Sequence, residues 1–241
     1  MNFDSFDARG YPTVSVRDGY GEWAETYETS VLDEMDIRLL KRVAGPWLAE
    51  AGMVADLACG TGRTGQWLRA AGVGSITGVD ITPQMLAAAE AKSVYDRLVE
   101  ADVTATGLDR SAFDLCTLSL ADEHLPSLSP LYGEAARLLK PGGRFMIAGY
   151  HPHFLLMGLG THFHRADGSA VGIRSYIHLF SDHVAAAHGC GFVLESFEEG
   201  LIDAEWIAAK PKWARYENRP VSYAVVWRLD APSAGAPQKV Q

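Results

Sequence analysis

The segment ADLACGTGRTG, residues 55–65, decides the fold of this 241-residue chain. A short apolar run, MVADLA, enters a glycine-rich loop, and the loop enters a helical pattern that ends at Gly72. Strand, glycine loop and helix in this order are typical of the first turn of a doubly wound α/β sheet. Gly60, Gly62 and Gly65 fit G-x-G-x-x-G, a spacing that permits a tight turn and a close backbone approach to a ligand.

The alternation of strand and helix continues along the chain. Apolar runs predict four more strands, SITGVD (75–80), RLVEAD (97–102), FDLCTLSL (113–120) and RFMIAG (144–149). The helix that follows the second strand has Thr82 as its N-cap and Pro83 at its first position. The unbroken apolar character of the fourth strand indicates burial on both faces. We therefore predict an α/β protein with one doubly wound, mostly parallel sheet.

The flanks of this core predict a single domain over residues 1–230. Aromatic and apolar residues at helical spacing predict a helical cap over residues 20–50. Residues 53–150 form the core, and residues 151–180 are too long and too apolar for a simple connection, so we interpret them as a substrate lid. VSYAVVWRL predicts a last strand, and residues 231–241 predict a flexible tail.

Composition excludes several classes of function. The formal net charge is -9, with 21 Lys and Arg against 30 Asp and Glu, and no basic run is present. Nucleic acid and anionic membranes are therefore not expected as partners. No apolar run approaches the roughly 18 residues of a membrane span, and the polar N-terminus does not resemble a signal peptide. Three cysteines without a CxxC pair favour a reducing cytoplasm, and we expect a monomer or a homodimer.

The carboxyl ends of the predicted strands collect polar residues at one rim, where ligands bind in open parallel sheets. Asp80 ends the second strand, 18 residues after Gly62, and a carboxylate there can accept hydrogen bonds from both hydroxyls of a ribose. A role for Asp80 as a charge at the start of the next helix is the structural alternative. Asp102, the 119–124 loop and His151 follow other strands to the same rim. The pattern predicts a nucleoside site.

Four further segments distinguish between nucleoside cofactors: DLACGTG, GVDITPQML, EADV and ARLLKPGGRFMI. In this order they closely resemble the class I S-adenosylmethionine (SAM)-dependent methyltransferases over residues 53–150. The segment YGEWAETYE resembles the N-terminal aromatic cap of the small-molecule branch of that family, which includes ubiquinone, menaquinone and natural-product methyltransferases. An NAD(P)-dependent oxidoreductase would share the glycine loop and Asp80 but leaves EADV and KPGG unexplained.

The resemblance implies SAM as the cofactor and a Rossmann-like sheet of seven strands whose last strand is antiparallel. It implies that Gly60 and Gly62 pack against the amino-acid part of SAM while Asp56 orients their loop. The remaining residues with implied contacts are Asp80 and Ile81 at the ribose, Asp102 and Val103 at the adenine, and Leu118 and Ser119 beneath the sulfonium.

Aromatic side chains of the cap are candidates for a contact with the sulfonium. Tyr20, Trp23 and Tyr27 recur at helical spacing, and an aromatic face attracts a desolvated cation. The same spacing is equally typical of core packing. We take Tyr20 and Tyr27 as candidate cofactor contacts.

Seven of the eight histidines lie in residues 151–188. His151 follows the fifth strand and His124 the fourth, so these two are the candidate catalytic bases. Two His-x-His pairs match no known metal-ligand spacing, and we predict no metal. From the lid we expect contacts with the methyl acceptor by His153, His162, Tyr176 and His178.

These observations predict an enzyme, a SAM-dependent methyltransferase that modifies oxygen or nitrogen of a small aromatic or heteroaromatic metabolite. Carbon methylation of a quinol or phenol and O-methylation of a carboxylate are alternatives for the acceptor. An NAD(P)-dependent oxidoreductase and a SAM-binding protein without turnover are alternatives of a different class.

Overall fold

The computed structural model describes residues 1–230; the predicted tail, residues 231–241, lies outside the described residues. The strands are β1 Thr13–Val14, β2 Met53–Leu57, β3 Ser75–Asp80, β4 Arg97–Glu100, β5 Phe113–Ser119, β6 Leu139–Tyr150, β7 His162–His164, β8 Ala170–Ile173, β9 Phe192–Leu201 and β10 Pro220–Leu229. The α-helices are α1 Val16–Trp23, α2 Tyr27–Ser30, α3 Ile37–Val43, α4 Arg63–Ala70, α5 Pro83–Ala91, α6 Ser129–Leu138, α7 Pro152–Leu156, α8 Phe180–Gly189 and α9 Ala204–Ala209. Short 3-10 helices cover Phe3–Ser5, Asp33–Met35, Pro46–Leu48, Asp122–His124 and Pro211–Tyr216.

The main sheet has seven strands in the order β4-β3-β2-β5-β6-β10-β9. Strands β4, β3, β2, β5 and β6 are parallel, whereas β10 is antiparallel to both β6 and β9. The predicted α/β class, the seven strands and the antiparallel last strand are confirmed. Chain order reverses between β2 and β5, so the ligand crevice of such a sheet lies at the carboxyl ends of these two strands.

Each central strand sends alternate residues to opposite faces of the sheet. On one face Ala55, Cys116 and Phe145 pack with α6 and α8. On the other face Val54 and Leu115 pack with α3 and α4. Helices cover both faces, which explains why β5 reads as one unbroken apolar run.

The sequence KPGG does not simply end a helix, as its Pro and Gly suggested. Phe113 of β5 pairs with Leu139, but Leu115 pairs with Arg144, so residues 140–143 bulge out of a β6 strand that has already begun. Gly142 has a positive φ of 81° at this bulge. Strand β6 therefore begins five residues before the predicted strand at residue 144.

The lid segment, residues 151–180, contains secondary structure that periodicity did not reveal. It begins with α7 and continues into an antiparallel hairpin of β7 and β8. Strand β1 pairs with β8 in parallel, Thr13 opposite Gly172 and Val14 opposite Ile173, which completes a three-stranded second sheet. The N-terminal residues, which show no periodicity, are thus bound to the lid. Among residues 1–230, every helix is too short or too polar to cross a membrane.

Two helical glycines should respond in opposite ways to alanine. A Cβ on exposed Gly133 in α6 would meet no atom within 4 Å, so Gly133→Ala should raise the free energy of unfolding by about 0.5–1 kcal/mol, because alanine loses less backbone entropy on folding. A Cβ on Gly65 in α4 would overlap the ring of Tyr95, so Gly65→Ala should lower that free energy by about 1–3 kcal/mol. Denaturant unfolding measures both, and a stabilised Gly65→Ala would contradict this packing.

Candidate active site

A cavity of about 230 Å³, here called the rim cavity, opens at the carboxyl ends of β2, β3 and β5. It brings together nine of the residues singled out in the sequence: Tyr20, Tyr27, Gly60, Asp80, Ile81, Asp102, Val103, Ser119 and His124. Apolar side chains, Val16, Met85, Leu120, Leu125 and Pro126, complete most of its wall. The rim cavity is therefore a mainly apolar pocket with a few polar groups, as small-molecule sites are.

The glycines of the loop after β2 have different tasks. Gly60 has a φ of 54°, and a Cβ there would meet no atom within 4 Å, so its backbone borders open space in the rim cavity. Gly62 has a φ of 89°, and a Cβ on it would lie 3.1 Å from the Tyr95 ring. Gly65 also faces that ring. Only Gly60 of the three lines the cavity, and the other two make room for Tyr95, whose role the sequence pattern did not indicate.

Asp80 holds the glycine loop against the next helix. Its Oδ2 accepts the backbone N–H of Gly60 at 2.9 Å, and its Oδ1 accepts that of Thr82 at 2.8 Å. Burial raises the pKa of this carboxyl from its usual value. Asp80 therefore supports the start of α5, the structural alternative considered from the sequence, and it also lines the rim cavity, where ribose binding stays a prediction.

Two predicted cofactor residues lie behind the cavity wall. Asp56 accepts hydrogen bonds from the hydroxyls of Tyr95 and Thr117, both at 2.7 Å, and its burial raises the pKa of the carboxyl to about 6. Leu118 is fully buried in the core. Because residues alternate along β5, Leu118 packs in that core while the strand-terminal Ser119 reaches the cavity.

A buried ion pair joins the cap to the glycine loop. Arg63 Nη2 lies 3.0 Å from Asp36 Oδ1, and their side chains are only 10% and 4% exposed. Ser119 donates its hydroxyl to Asp36 Oδ2 at 2.8 Å. Glu28 adds a second connection through the hydroxyl of Thr61. The sequence analysis did not indicate these contacts between the cap and the glycine loop. A charged Arg63 inside that loop was a signal that it has a partner elsewhere in the chain.

His124 is held in one tautomer on the wall of the rim cavity. Its Nδ1 lies 2.8 Å from the carbonyl oxygen of Arg174, which can only accept, so Nδ1 carries the proton. The other nitrogen, Nε2, lies 2.8 Å from the hydroxyl of Tyr20 and therefore accepts a hydrogen bond from it. Burial lowers the pKa of His124 to about 4 and raises the pKa of Tyr20 well above its usual value. Both groups are neutral at pH 7.

The two residues before His124 are buried carboxyls. Burial and neighbouring Asp122 raise the pKa of Glu123 to about 8, and Thr161 donates its hydroxyl to Glu123 Oε1 at 3.1 Å. Asp122 accepts a hydrogen bond from Tyr223 at 2.9 Å. These contacts fix the 3-10 turn that carries His124. The sequence analysis placed residues 119–124 at the rim but did not indicate the burial of Asp122 and Glu123.

His151, the other candidate base, lines neither the rim cavity nor the second cavity described below. Its Nδ1 accepts the backbone N–H of His153 at 3.0 Å and caps α7. Its Nε2 lies 2.7 Å from Glu199 Oε1 on β9. The position of His151 directly after β6 therefore did not indicate a place in the rim cavity. The chain turns into α7 immediately and directs the imidazole toward β9.

The four expected acceptor contacts are dispersed. His153 is exposed, His178 Nε2 bonds the carbonyl of Leu125 at 2.7 Å, and Tyr176 donates its backbone N–H to Glu123. His162 alone of the four borders a large space, a second cavity of about 410 Å³ between α2, the lid and α9, here called the lid cavity. In the part of the chain that the structure describes, no three His, Cys, Asp or Glu side chains are grouped to hold a metal ion.

Comparison with known proteins agrees with the fold. Residues 55–147 match the family described as "Methyltransferase domain". A malonyl-[acyl-carrier protein] O-methyltransferase of Pectobacterium atrosepticum is 36% identical over 55% of this chain and 52% of its own length. A solved SAM-dependent methyltransferase from Mesorhizobium loti has a TM-score of 0.61 and 23% identity, covering 88% of this chain and 99% of that one. Residues 55–147 are therefore similar to a methyltransferase domain, and the fold is similar to that of a SAM-dependent methyltransferase.

Other relatives of this chain have different printed activities. The 27-O-demethylrifamycin SV methyltransferase of Amycolatopsis mediterranei is 28% identical over 83% of this chain and 73% of its own length. Both O- and C-methyltransferases are among the relatives. The chain spans about half the length of the O-methyltransferase from Pectobacterium. The similarity to methyltransferases favours this activity over the NAD(P)-dependent oxidoreductase considered from the sequence.

The rim cavity fits the cofactor of this family. Asp80 and Asp102 follow neighbouring strands and offer carboxylate oxygens for ribose hydroxyls and the adenine amino group. Ile81, Met85 and Val103 provide an apolar surface for a flat base. The open space at Gly60 admits a ligand to the loop backbone. These residues would hold SAM, and its methyl group would supply the electrophile.

The depressed pKa of His124 predicts a specific loss of stability in acid. In the folded protein His124 stays neutral down to a pH of about 4, whereas in the unfolded chain it takes up a proton below a pH of about 6.5. Protonation therefore favours the unfolded chain, and the free energy of unfolding decreases as the pH falls from about 6.5 to about 4. Over that interval the wild type should lose on the order of 2 kcal/mol more unfolding free energy than His124→Gln. Urea unfolding at several pH values measures the difference. His188→Gln, which removes an exposed histidine, is the control and should follow the wild type.

Proposed function

We propose that this methyltransferase transfers the methyl group of SAM to oxygen or nitrogen of a small aromatic or heteroaromatic metabolite. The proposal includes a cytoplasmic location, a monomer or homodimer, and no nucleic-acid partner. One observation carries the choice of oxygen or nitrogen. The hydroxyl of Tyr20 and Nε2 of His124 form a 2.8 Å hydrogen bond on the wall of the cavity that suits the cofactor. This pair can remove a proton that an O–H or N–H acceptor must lose.

The chain contributes alignment, exclusion of water and a route for this proton. Tyr20 donates to His124 and leaves its oxygen lone pairs to accept a hydrogen bond from the acceptor. As the acceptor loses a proton to the Tyr20 oxygen, Tyr20 passes its own proton to Nε2 of His124. The carbonyl of Arg174 holds Nδ1–H throughout and stabilises the imidazolium that forms.

A pKa of about 4 for His124 is compatible with this role. The proton of a hydroxyl becomes far more acidic as its oxygen gains a methyl group, so a weak base is sufficient late in the transfer. A low pKa also keeps His124 unprotonated at neutral pH, which a stronger base would not ensure. The positive charge arises only during the reaction, close to buried Glu123, whose Oε1 lies 3.5 Å from Nε2.

The relatives leave two other acceptor atoms to be tested. A quinol or phenol carbon and a carboxylate oxygen are the alternatives, and printed activities of the relatives include C-methylation and O-methylation. A carboxylate has no proton to lose, so its methylation needs no base. Dependence on His124 therefore separates a hydroxyl or N–H acceptor from a carboxylate.

The cofactor assignment is checked by thermal unfolding with ligands. S-adenosylhomocysteine at about 100 times its Kd should stabilise the protein by about 2.7 kcal/mol, because it binds only the folded chain. NADH at the same concentration should leave the melting temperature unchanged. Asp80→Ala is the matched variant, and its stabilisation by S-adenosylhomocysteine should be much smaller. Stabilisation by NADH alone would overturn the assignment.

Turnover tests the Tyr20–His124 pair. With a panel of phenols, alcohols and heteroaromatic amines as acceptors, His124→Gln should lower kcat by about 100-fold or more, and Tyr20→Phe by at least about tenfold, since general-base catalysis contributes factors of this size. S-adenosylhomocysteine affinity should change little in His124→Gln. Tyr11→Phe is the control, because Tyr11 lies outside the rim cavity. Normal rates in both variants would refute the proton route, and binding of SAM without any turnover would indicate a non-catalytic protein.

A further inference from the structure

The lid cavity is lined by aromatic rings from four parts of the chain. They are Trp23 of α1, Tyr150 and Phe154 around the start of the lid, Phe163 of β7, and Trp206 and Trp213. The rings pack against one another, with Phe154 stacked on Trp213 at 5.4 Å and Trp23 stacked on Phe163 at 5.7 Å between centroids. Such walls suit a flat, apolar body.

Aromatic rings in the walls of the lid cavity and the rim cavity contact one another. Trp23 lines the lid cavity, while Tyr20 and Tyr27 line the rim cavity. The Trp23 centroid lies 5.8 Å from that of Tyr20 and 4.9 Å from that of Tyr27. A molecule in the lid cavity is therefore next to the layer that borders the cofactor and the proton-accepting pair.

The charged side chains of the lid cavity are all cationic. Arg9, Lys210 and Lys212 line it, and none of its lining residues is Asp or Glu, although the chain has a formal net charge of -9. Within residues 1–230 the charged group of none of the three lies within 4.0 Å of a carboxylate oxygen, although the backbone N–H of Arg9 donates to Asp7 at 3.0 Å. The ammonium group of Lys210 donates to the carbonyl of Ser30 at 2.6 Å, and the guanidinium of Arg9 donates to the carbonyl of Gly160 at 3.2 Å and contacts His162. Burial lowers the pKa of both Arg9 and Lys210. Partly buried cations without a close counter-ion favour an anion.

Two indole groups add donors to the same wall. Nε1 of Trp206 and Nε1 of Trp213 are buried, and neither has a hydrogen-bond partner among the described residues. A buried N–H without a partner costs free energy, so a small shift of either ring that turns its N–H into the cavity would offer a donor to a ligand oxygen. Their occurrence together, in the wall that also carries Lys210 and Lys212, is an observation independent of charge.

We infer that the lid cavity binds an aromatic anion, a flat apolar molecule with a carboxylate, sulfonate or phosphate group. The rings hold its body, and Arg9, Lys210 and Lys212 attract its anionic group. This inference goes beyond the proposed function, because it assigns a class of ligand to a second cavity. It also assigns a purpose to lid residues that the proton route does not use.

Two fluorescent probes test this selection. 8-Anilinonaphthalene-1-sulfonate and N-phenyl-1-naphthylamine have the same aromatic body, and only the first has an anionic group. Both are titrated into the full chain saturated with S-adenosylhomocysteine, which occupies the rim cavity. The sulfonate should bind at least about tenfold more tightly than the neutral probe, since charge-assisted hydrogen bonds are the strong ones.

Matched variants locate the effect. Lys210→Met should weaken sulfonate binding by about tenfold and leave binding of the neutral probe unchanged, because methionine retains the apolar length of lysine but not its charge. Trp206→Phe keeps a ring but removes an indole N–H, and should weaken the sulfonate severalfold. Lys41→Met, on the exposed side of α3, is the control and should bind both probes as the wild type does.

The outcomes separate the two proposals. Equal affinity of the wild type for both probes, failure of the sulfonate to bind, or an equal loss of both probes in Lys210→Met would each overturn the inference. If S-adenosylhomocysteine still binds in those cases, the assignment of the rim cavity is unaffected. Failure of S-adenosylhomocysteine to bind would instead count against the proposed function.

Discussion

The packing of Tyr95 beneath the glycine loop is the constraint on which the cofactor rim depends. Its ring occupies the space that side chains at Gly62, Gly65 and Gly78 would fill, and its hydroxyl donates to buried Asp56. Asp56 also accepts a hydrogen bond from a residue of β5, so one carboxyl connects the two strands on either side of the switch point. The loop is thereby held in the form that leaves Gly60 open. The Tyr95 ring, about 30 residues further along the chain, therefore explains why residues 62 and 65 are glycines. Contact with a ligand alone would not require a glycine at either position.

Sequence patterns were sufficient for the sheet and for much of the rim. Strands of a parallel sheet are short apolar runs with polar residues after them, so Asp80, Asp102 and Ser119 were located by counting alone. The resemblance to a family then implied seven strands and an antiparallel last one. Side-chain direction was harder to obtain. Leu118 lies one residue and Asp56 two residues from a residue that lines the rim cavity, but strand alternation and burial keep both behind its wall.

The rest of the site depends on contacts between residues distant in sequence, which periodicity does not contain. Strand β1 has two residues and pairs with β8 about 160 residues later. Tyr20 meets His124, and Asp36 meets Arg63, across loops whose paths are set by packing. His151 shows that position along the chain is not sufficient. It follows a strand of the main sheet as predicted, but it caps α7 and its imidazole lies outside the rim cavity.

The carbonyl of Arg174 follows β8, at the end of the hairpin to which the N-terminal strand is paired. That oxygen alone requires the proton of His124 to reside on Nδ1, and so leaves Nε2 basic. The position of the hairpin and the choice of tautomer are consequently coupled. In the proposed reaction, a chain whose hairpin is displaced would leave the imidazole free to present N–H to Tyr20, and the proton would then have no acceptor. The hairpin would thus control the base as well as cover the site.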